Sequence, residues 1–269
     1  MPSSDHQTEL DSQTLFHDIS RCAVIQDYFR DQAHFDAPCR TIIRSQLPAN
    51  DMEHQLPEPW RGDIVGAPIL FVSSNPSIGE DRNAIGASSA DEVLNSYANA
   101  FNNPRMMVAA KYSVTPHGIR STRPVQYWSE ALGRAGELLE RVVPGRDYAL
   151  TEVVHCKSRK NTGVKEALNT CVGLYLDRVL TLLQSCVIIL YGDYAASVVA
   201  EKYRVLRGAA CYEGPTMIGG RERFIIRLGA PGSNKVRTLR DPQCLPTQVL
   251  CEVRALVAAA RRPGVAARD

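Results

Sequence analysis

The chain has 269 residues, 44% hydrophobic and 22% charged, with 31 Lys and Arg against 29 Asp and Glu and a formal net charge of +2. This composition excludes a disordered, collagen-like or fibrous chain, and the near balance of charge permits an acidic partner without demanding one. No apolar run reaches the roughly 18 to 20 residues that span a bilayer, and the opening MPSSDHQTEL lacks a signal core, so a cytoplasmic protein is expected.

Along the chain, four short apolar runs read as strands buried on both faces: residues 69–73, 148–154, 186–191 and 224–228. Between them, residues 88–102, 124–143, 164–183 and 194–203 carry apolar residues at three- and four-residue steps and read as helices. Strands alternating with helices imply parallel pairing through right-handed crossovers. The expected fold is a three-layer α/β/α domain around a central four-stranded parallel sheet. Residues 1–60 read as a helical extension packed on the core, 61–262 as the α/β domain, and 263–269 as a disordered tail.

Sheets of this kind bind ligands beyond the carboxyl ends of their strands, and the loops there are polar. They read SSNPSIGED, EVVHCKSRKN, YGDYAASVV and GAPGSNKVRTLRD. In the first loop, Pro76 holds Asn75 away from helical geometry at the strand end; taken alone, Asn-Pro is also an ordinary turn initiator. Basic residues cluster at Lys157, Arg159 and Lys160, at Arg221, Arg223 and Arg227, and at Lys235, Arg237 and Arg240. Such clusters read either as solvated faces or as contacts to nucleic acid. Eight cysteines without a CxxC pair argue against a zinc ribbon, and in a reducing compartment they are core fillers or metal ligands.

Taken as an ordered set over about residues 60–240, these loops resemble the uracil-DNA glycosylase superfamily. Asn75-Pro76 is similar to its water-positioning motif, and Glu80-Asp81 to the acids that follow that motif in the iron-sulfur branch. The block from LTEVVHCKSRKN through NTCVGLYLDRVL to YGDYAASVV also resembles that branch. The resemblance implies a uracil-DNA glycosylase-like fold and a monomeric, monofunctional DNA glycosylase. Such an enzyme hydrolyses the N-glycosidic bond of a base flipped out of DNA and leaves an abasic site. Asn75 would position the water, and donors near Ser74 and Ser77 would stabilise the departing base. Glu152 and His155 would contact the base, and Gly232, Ser233, Asn234, Lys235 and Arg237 would hold the DNA. Tyr97, Phe101, Tyr112 and Tyr127 are candidates to stack on the base. Cys156 and Cys171, with fourteen intervening residues, would join Cys22 and Cys39 as ligands of a structural [4Fe-4S] cluster. Four ordinary buried thiols are the alternative.

Three departures from that family bear on function. Ala230 stands where a His donor is usual, and Cys22 and Cys39 are separated by sixteen residues instead of forming CxxC. Glu152 stands where the branch carries an Asn that reads uracil. A carboxylate accepts from an exocyclic amine and, when protonated, donates to a ring nitrogen, which is the edge of cytosine. The expected substrate is therefore a modified cytosine, for example the hydroxymethyl or glucosylated hydroxymethyl form of phage DNA, in an antiphage role. An ion pair between Glu152 and a nearby cation, a uracil or hypoxanthine repair activity, and a non-catalytic DNA-binding module are the alternatives.

Overall fold

The computed structural model describes residues 4–46, 54–78, 97, 99–103, 107–114, 118–208, 210–233 and 238–261. Three helices come first: α1 (Ser4–Ser20), α2 (Ala23–Arg30) and α3 (Arg40–Ser45). Strands β1 (Trp60–Arg61) and β2 (Ile69–Ser73) follow, then a small ribbon of β3 (Met107–Val108) and β4 (Tyr112–Ser113). Helix α4 (Gln126–Leu138) leads to β5 (Tyr148–Glu152) and α5 (Val164–Cys171). A π-helical turn (Val172–Leu176) joins α5 to α6 (Asp177–Leu182). The chain closes with β6 (Val187–Tyr191), α7 (Gly192–Tyr203), β7 (Tyr212–Ile218), β8 (Arg221–Leu228) and α8 (Thr247–Ala260).

The main sheet runs in the order β1-β5-β2-β6-β8-β7. Strands β5, β2, β6 and β8 pair parallel, whereas β1 and β7 pair antiparallel at the two edges. The sheet is therefore six-stranded and mixed, which corrects the expected four-stranded parallel sheet. The four expected strands are its centre, and the edges were hidden for physical reasons. Two residues of β1 are too few to show a period. Strand β7 is half exposed, is interrupted by Gly214-Pro215 and shifts register between Glu213 and Thr216, as befits a blunted edge.

All five residues of β2, β5 and β6 are buried, which is why they read as unbroken apolar runs. Alternate side chains divide the core into two layers. Leu70, Val72, Ile188, Leu190 and Ile225 pack with Leu15, Ile19, Ile42, Ala167, Leu180 and Val199, residues of α1, α3, α5, α6 and α7. Ile69, Phe71, Tyr148, Leu150 and Ile189 pack on the other face with Ala131 and Ala135 of α4 and Val253 and Val257 of α8. The N-terminal helices thus contribute directly to the main core, and β1 joins the sheet itself.

The helix expected over 164–183 forms but is interrupted by the π-helical turn. The one expected over 88–102 falls largely outside the described residues, as does the tail; Ala100–Asn102 forms a short 3-10 turn. Helix α8 was not anticipated. Among the described residues no helix is long and apolar enough to cross a membrane.

Candidate functional site

Strands β2 and β5 end side by side, with Ser73 paired to Glu152. The pairing continues beyond both strands. The amides of Val153 and Val154 donate to the carbonyls of Ser73 and Ser74 (3.0 and 2.9 Å), and Ser158 N–H donates to Pro76 O (3.1 Å). A bridge between Ser77 and Ser158 completes the zipper. The Asn75 loop is thereby fixed to the segment carrying His155 and Cys156. Within it, Ser74 Oγ donates to Asn75 Oδ1 and Asn75 Nδ2 donates to Pro76 O, both at 3.1 Å. The carboxamide is half buried, and one amide hydrogen is left over from these contacts. Ser77 is exposed.

Next to this loop lies a buried cluster of charge. Arg61 Nε donates to Glu58 Oε1, and Lys157 Nζ lies 3.5 Å from Glu58 Oε2; each of these three side chains is 6% exposed. The Arg61 guanidinium sits 4.7 Å from the centre of the Trp128 ring and 5.2 Å from that of Tyr97, which Lys157 also approaches at 5.1 Å. The Tyr127 hydroxyl, one residue before Trp128 on α4, lies 3.0 Å from the carbonyls of both Phe71 and Thr151 and donates to them.

Glu152 enters the same cluster from the end of β5 and is buried. Burial, and then the neighbouring charge of Glu58, push its carboxyl well above the usual carboxylate range against the pull of Arg61 and Lys157. Burial acts on Glu58 too, but Arg61 and Lys157 outweigh it and hold that carboxyl below its ordinary value. The two carboxyl groups are thus shifted in opposite directions, Glu58 toward the charged form and Glu152 toward the neutral one. The ion pair that was the alternative for Glu152 is formed by Glu58 instead, and among the described residues no side chain or amide donates to the Glu152 carboxyl group.

His155 is 2% exposed. Its Nδ1 lies 2.9 Å from the Glu58 carbonyl, and its ring meets the edge of Tyr175 at 5.7 Å. Burial lowers its pKa to about 4, which leaves it neutral. Its backbone N–H points at Cys171 Sγ, 3.5 Å away, so it links the charged cluster to the cysteines behind it.

Cys22, Cys39, Cys156 and Cys171 are all free thiols buried in one core layer. Burial, and then Cys22, push Cys39 up to about 11. Burial, and then Cys22 and Cys39, push Cys171 up to about 12. Burial and all three other thiols raise Cys156. Four residues spread over 150 positions of sequence thus converge. A [4Fe-4S] cluster is held by four thiolates with N–H···S donors around them, and this donor set suits one. Among the described residues no three ligands surround a point that would hold a single metal ion; a four-iron cluster spaces its thiolates further apart than one ion does.

The fourth loop touches the third, since a Cβ on Gly192 would lie 3.3 Å from Ala230 Cβ. Ser233 N–H closes a turn onto Ala230 O at 2.9 Å, and its hydroxyl is buried without a partner. Gly232 (φ +81°) packs so closely on Gln126 that a Cβ would come within 2.6 Å of Oε1. Asn234, Lys235 and Arg237, like Glu80 and Asp81, lie outside the described residues. Of the candidate stacking residues, Tyr97 and Tyr127 belong to the cluster. Phe101 packs inward on Tyr148, and Tyr112 carries Arg120 on its ring.

The basic clusters divide. Arg159, Lys160 and Arg221 are exposed, whereas Lys157 is buried beside Glu58 and Arg223 is buried with its guanidinium donating to the carbonyls of Leu183, Ser185 and Ile218. Sequence reasoning missed Glu58, Arg61 and Trp128, which carry no motif; an acid and a cation three residues apart in EPWR were the available signal. No family model matches the chain, and no curated protein is significantly similar to it.

Proposed function

We propose that this protein is a monofunctional DNA glycosylase of the uracil-DNA glycosylase type that removes a modified cytosine from DNA. The observation that carries the reading is the placement, at the ends of adjacent strands, of a locally clamped carboxamide, Asn75, two residues beyond the Ser73 that pairs with Glu152, a buried acid whose carboxyl burial pushes well above the usual carboxylate range. A neutral acid presents one acceptor and one donor in a plane, matching the N4 amine and N3 of cytosine; uracil, with a carbonyl and an N–H at those places, mismatches both.

In this reaction Asn75 orients a water toward C1′ of the flipped nucleotide. As the C1′–N1 bond breaks, its electron pair leaves with the base, and Glu152 donates its proton to N3 to neutralise the charge that develops there. The water oxygen bonds to C1′, and a proton released by that water replaces the one given up by Glu152. The products are an abasic site and the free base. A host genome survives such an enzyme only when the pocket requires an added group on cytosine, as in hydroxymethylated or glucosylated phage DNA, so an antiphage role follows.

Cys22, Cys39, Cys156 and Cys171 would hold a [4Fe-4S] cluster. When bound it supplies a covalent staple between the helical prefix and the α/β core, and the hydrolysis requires no electron from it.

The test is base release from duplexes carrying uracil, hypoxanthine, cytosine, hydroxymethylcytosine and its glucosylated form. Release of a cytosine derivative is expected, and Asn75→Ala should slow it by about 10²–10³-fold while leaving DNA affinity intact. Rapid release of uracil with no cytosine derivative released would exclude the reading. An unchanged biological effect in Asn75→Ala would mark a DNA-binding module instead.

A further inference from the structure

Two acids and two cations share the buried cluster, yet their pairing is unequal. Both carboxylate oxygens of Glu58 are engaged, one by Arg61 and the other by Lys157, and both cations are further held over the rings of Tyr97 and Trp128. Glu58 is itself anchored at both ends of its backbone: its N–H donates to His155 O at 2.9 Å, and its carbonyl meets His155 Nδ1 at 2.9 Å. Glu152 joins this arrangement from β5, near Tyr127 of α4, whose hydroxyl is already shared between two carbonyls. Among the described residues, the titratable and charged groups that act on Glu152 are Glu58, Arg61, Lys157 and Tyr127, with Tyr97 against both cations.

We infer that Glu58 is the positioning residue for base selection: by taking both cations as its own ion-pair partners, it leaves Glu152 without an ion pair and sets that acid to read a cytosine edge. This inference rests on the function proposed above and adds the residue that decides what Glu152 can donate. Glu58 does not touch the base. It acts through the charge it withholds from its neighbour, because in a buried site an acid beside two unclaimed cations would ionise, and an ionised Glu152 can only accept. The two acids divide the labour as coupled pairs do, one proton between them.

The experiment separates this inference from the glycosylase reading by observing the Glu152 carboxyl group directly. Infrared difference spectra between wild type and Glu152→Gln should show a protonated-carboxyl band at neutral pH that titrates only above the ordinary carboxylate range. In Glu58→Gln that band should vanish at neutral pH and return on acidification, and in Glu58→Asp, which keeps the charge, it should persist. Release of the modified cytosine by Glu58→Gln should fall by at least about tenfold at neutral pH and recover toward acid, while Asn75→Ala stays slow at every pH. Absence of the band in wild type overturns the inference even if Glu58→Gln fails to fold, and so does its persistence in a folded Glu58→Gln. A band that behaves as described in a protein that releases no base leaves only Glu58's control of the Glu152 proton, and overturns its role in base selection together with the glycosylase reading.

Discussion

His54 illustrates how burial alone sets the behaviour of a side chain. It is 5% exposed, neither ring nitrogen has a partner, and its ring meets the edge of Phe29 at 5.3 Å. Burial lowers its pKa from 6.5 to about 4. The folded form therefore refuses a proton that the unfolded chain accepts, so the stability it contributes is intact above pH 6.5 and is lost as the pH falls toward 4. The full loss is about 3 kcal/mol by linkage. Urea unfolding at pH 7.5 and pH 5 should show this acid sensitivity in wild type and a smaller one in His54→Phe. Glu152 works in the opposite direction, because its raised carboxyl favours the folded state below the ordinary carboxylate range and loses that contribution as pH rises through its folded value. Individual residues were legible from sequence where backbone chemistry marks them. Asn75 could be singled out because a Pro follows it at the end of an apolar run. Glu58 and Arg61 could not, because their role comes from cations and rings that only folding brings together.

The four central strands were readable because burial on both faces forces unbroken apolar sequence, whereas β7 and the short β1 have no such constraint. The join between α3 and α5 was not readable, for it depends on close backbone approach. Gly163 caps α5 with φ +76°, and a Cβ there would lie 2.3 Å from Ile42 N and 2.6 Å from its Cα. That contact brings Cys39, the residue capping α3, toward Cys171 at the end of α5. Gly163→Ala should cost about 1–2 kcal/mol for the left-handed conformation alone, with the clash against α3 added to it. Calorimetry should show a lowered Tm, and if the four thiols hold a cluster the iron content per chain should fall with it. The π-helical turn that starts directly after Cys171 belongs to the same device. It places Tyr175 beside the Cys22 thiol and directs its hydroxyl to the carbonyl of Asp18 in α1, at 3.3 Å. Such turns concentrate at functional positions, and an ordinary amphipathic pattern gives no sign of them.

Across the whole molecule, two features stand out where the helical prefix meets the α/β core. One is apolar packing of Leu15, Phe16, Ile19, Ile42 and Ile43 into the main core. The other is the set of four thiols, two from the prefix and two from the segments around β5 and α5. If they hold iron, replacing one ligand should weaken the union without abolishing the packing. Cys39→Ser is expected to lose the brown absorption and to unfold at lower temperature, and limited proteolysis should then cut first within residues 1–60. Wild-type protein that is colourless when purified without oxygen would exclude the cluster. The layered α/β arrangement was legible at this scale because it follows from alternating elements. The mixed sheet and the prefix's share in the core were not, since they depend on edge pairing and tertiary burial.

Glu58 precedes by two residues the edge strand that closes the sheet beside β5. Architecture and the proposed base selectivity would therefore enter the molecule through the same few peptide units. A version of this protein shortened from its front to residue 62 would forfeit a rim of the sheet, two sulfur donors and the acid that disciplines Glu152 in a single cut.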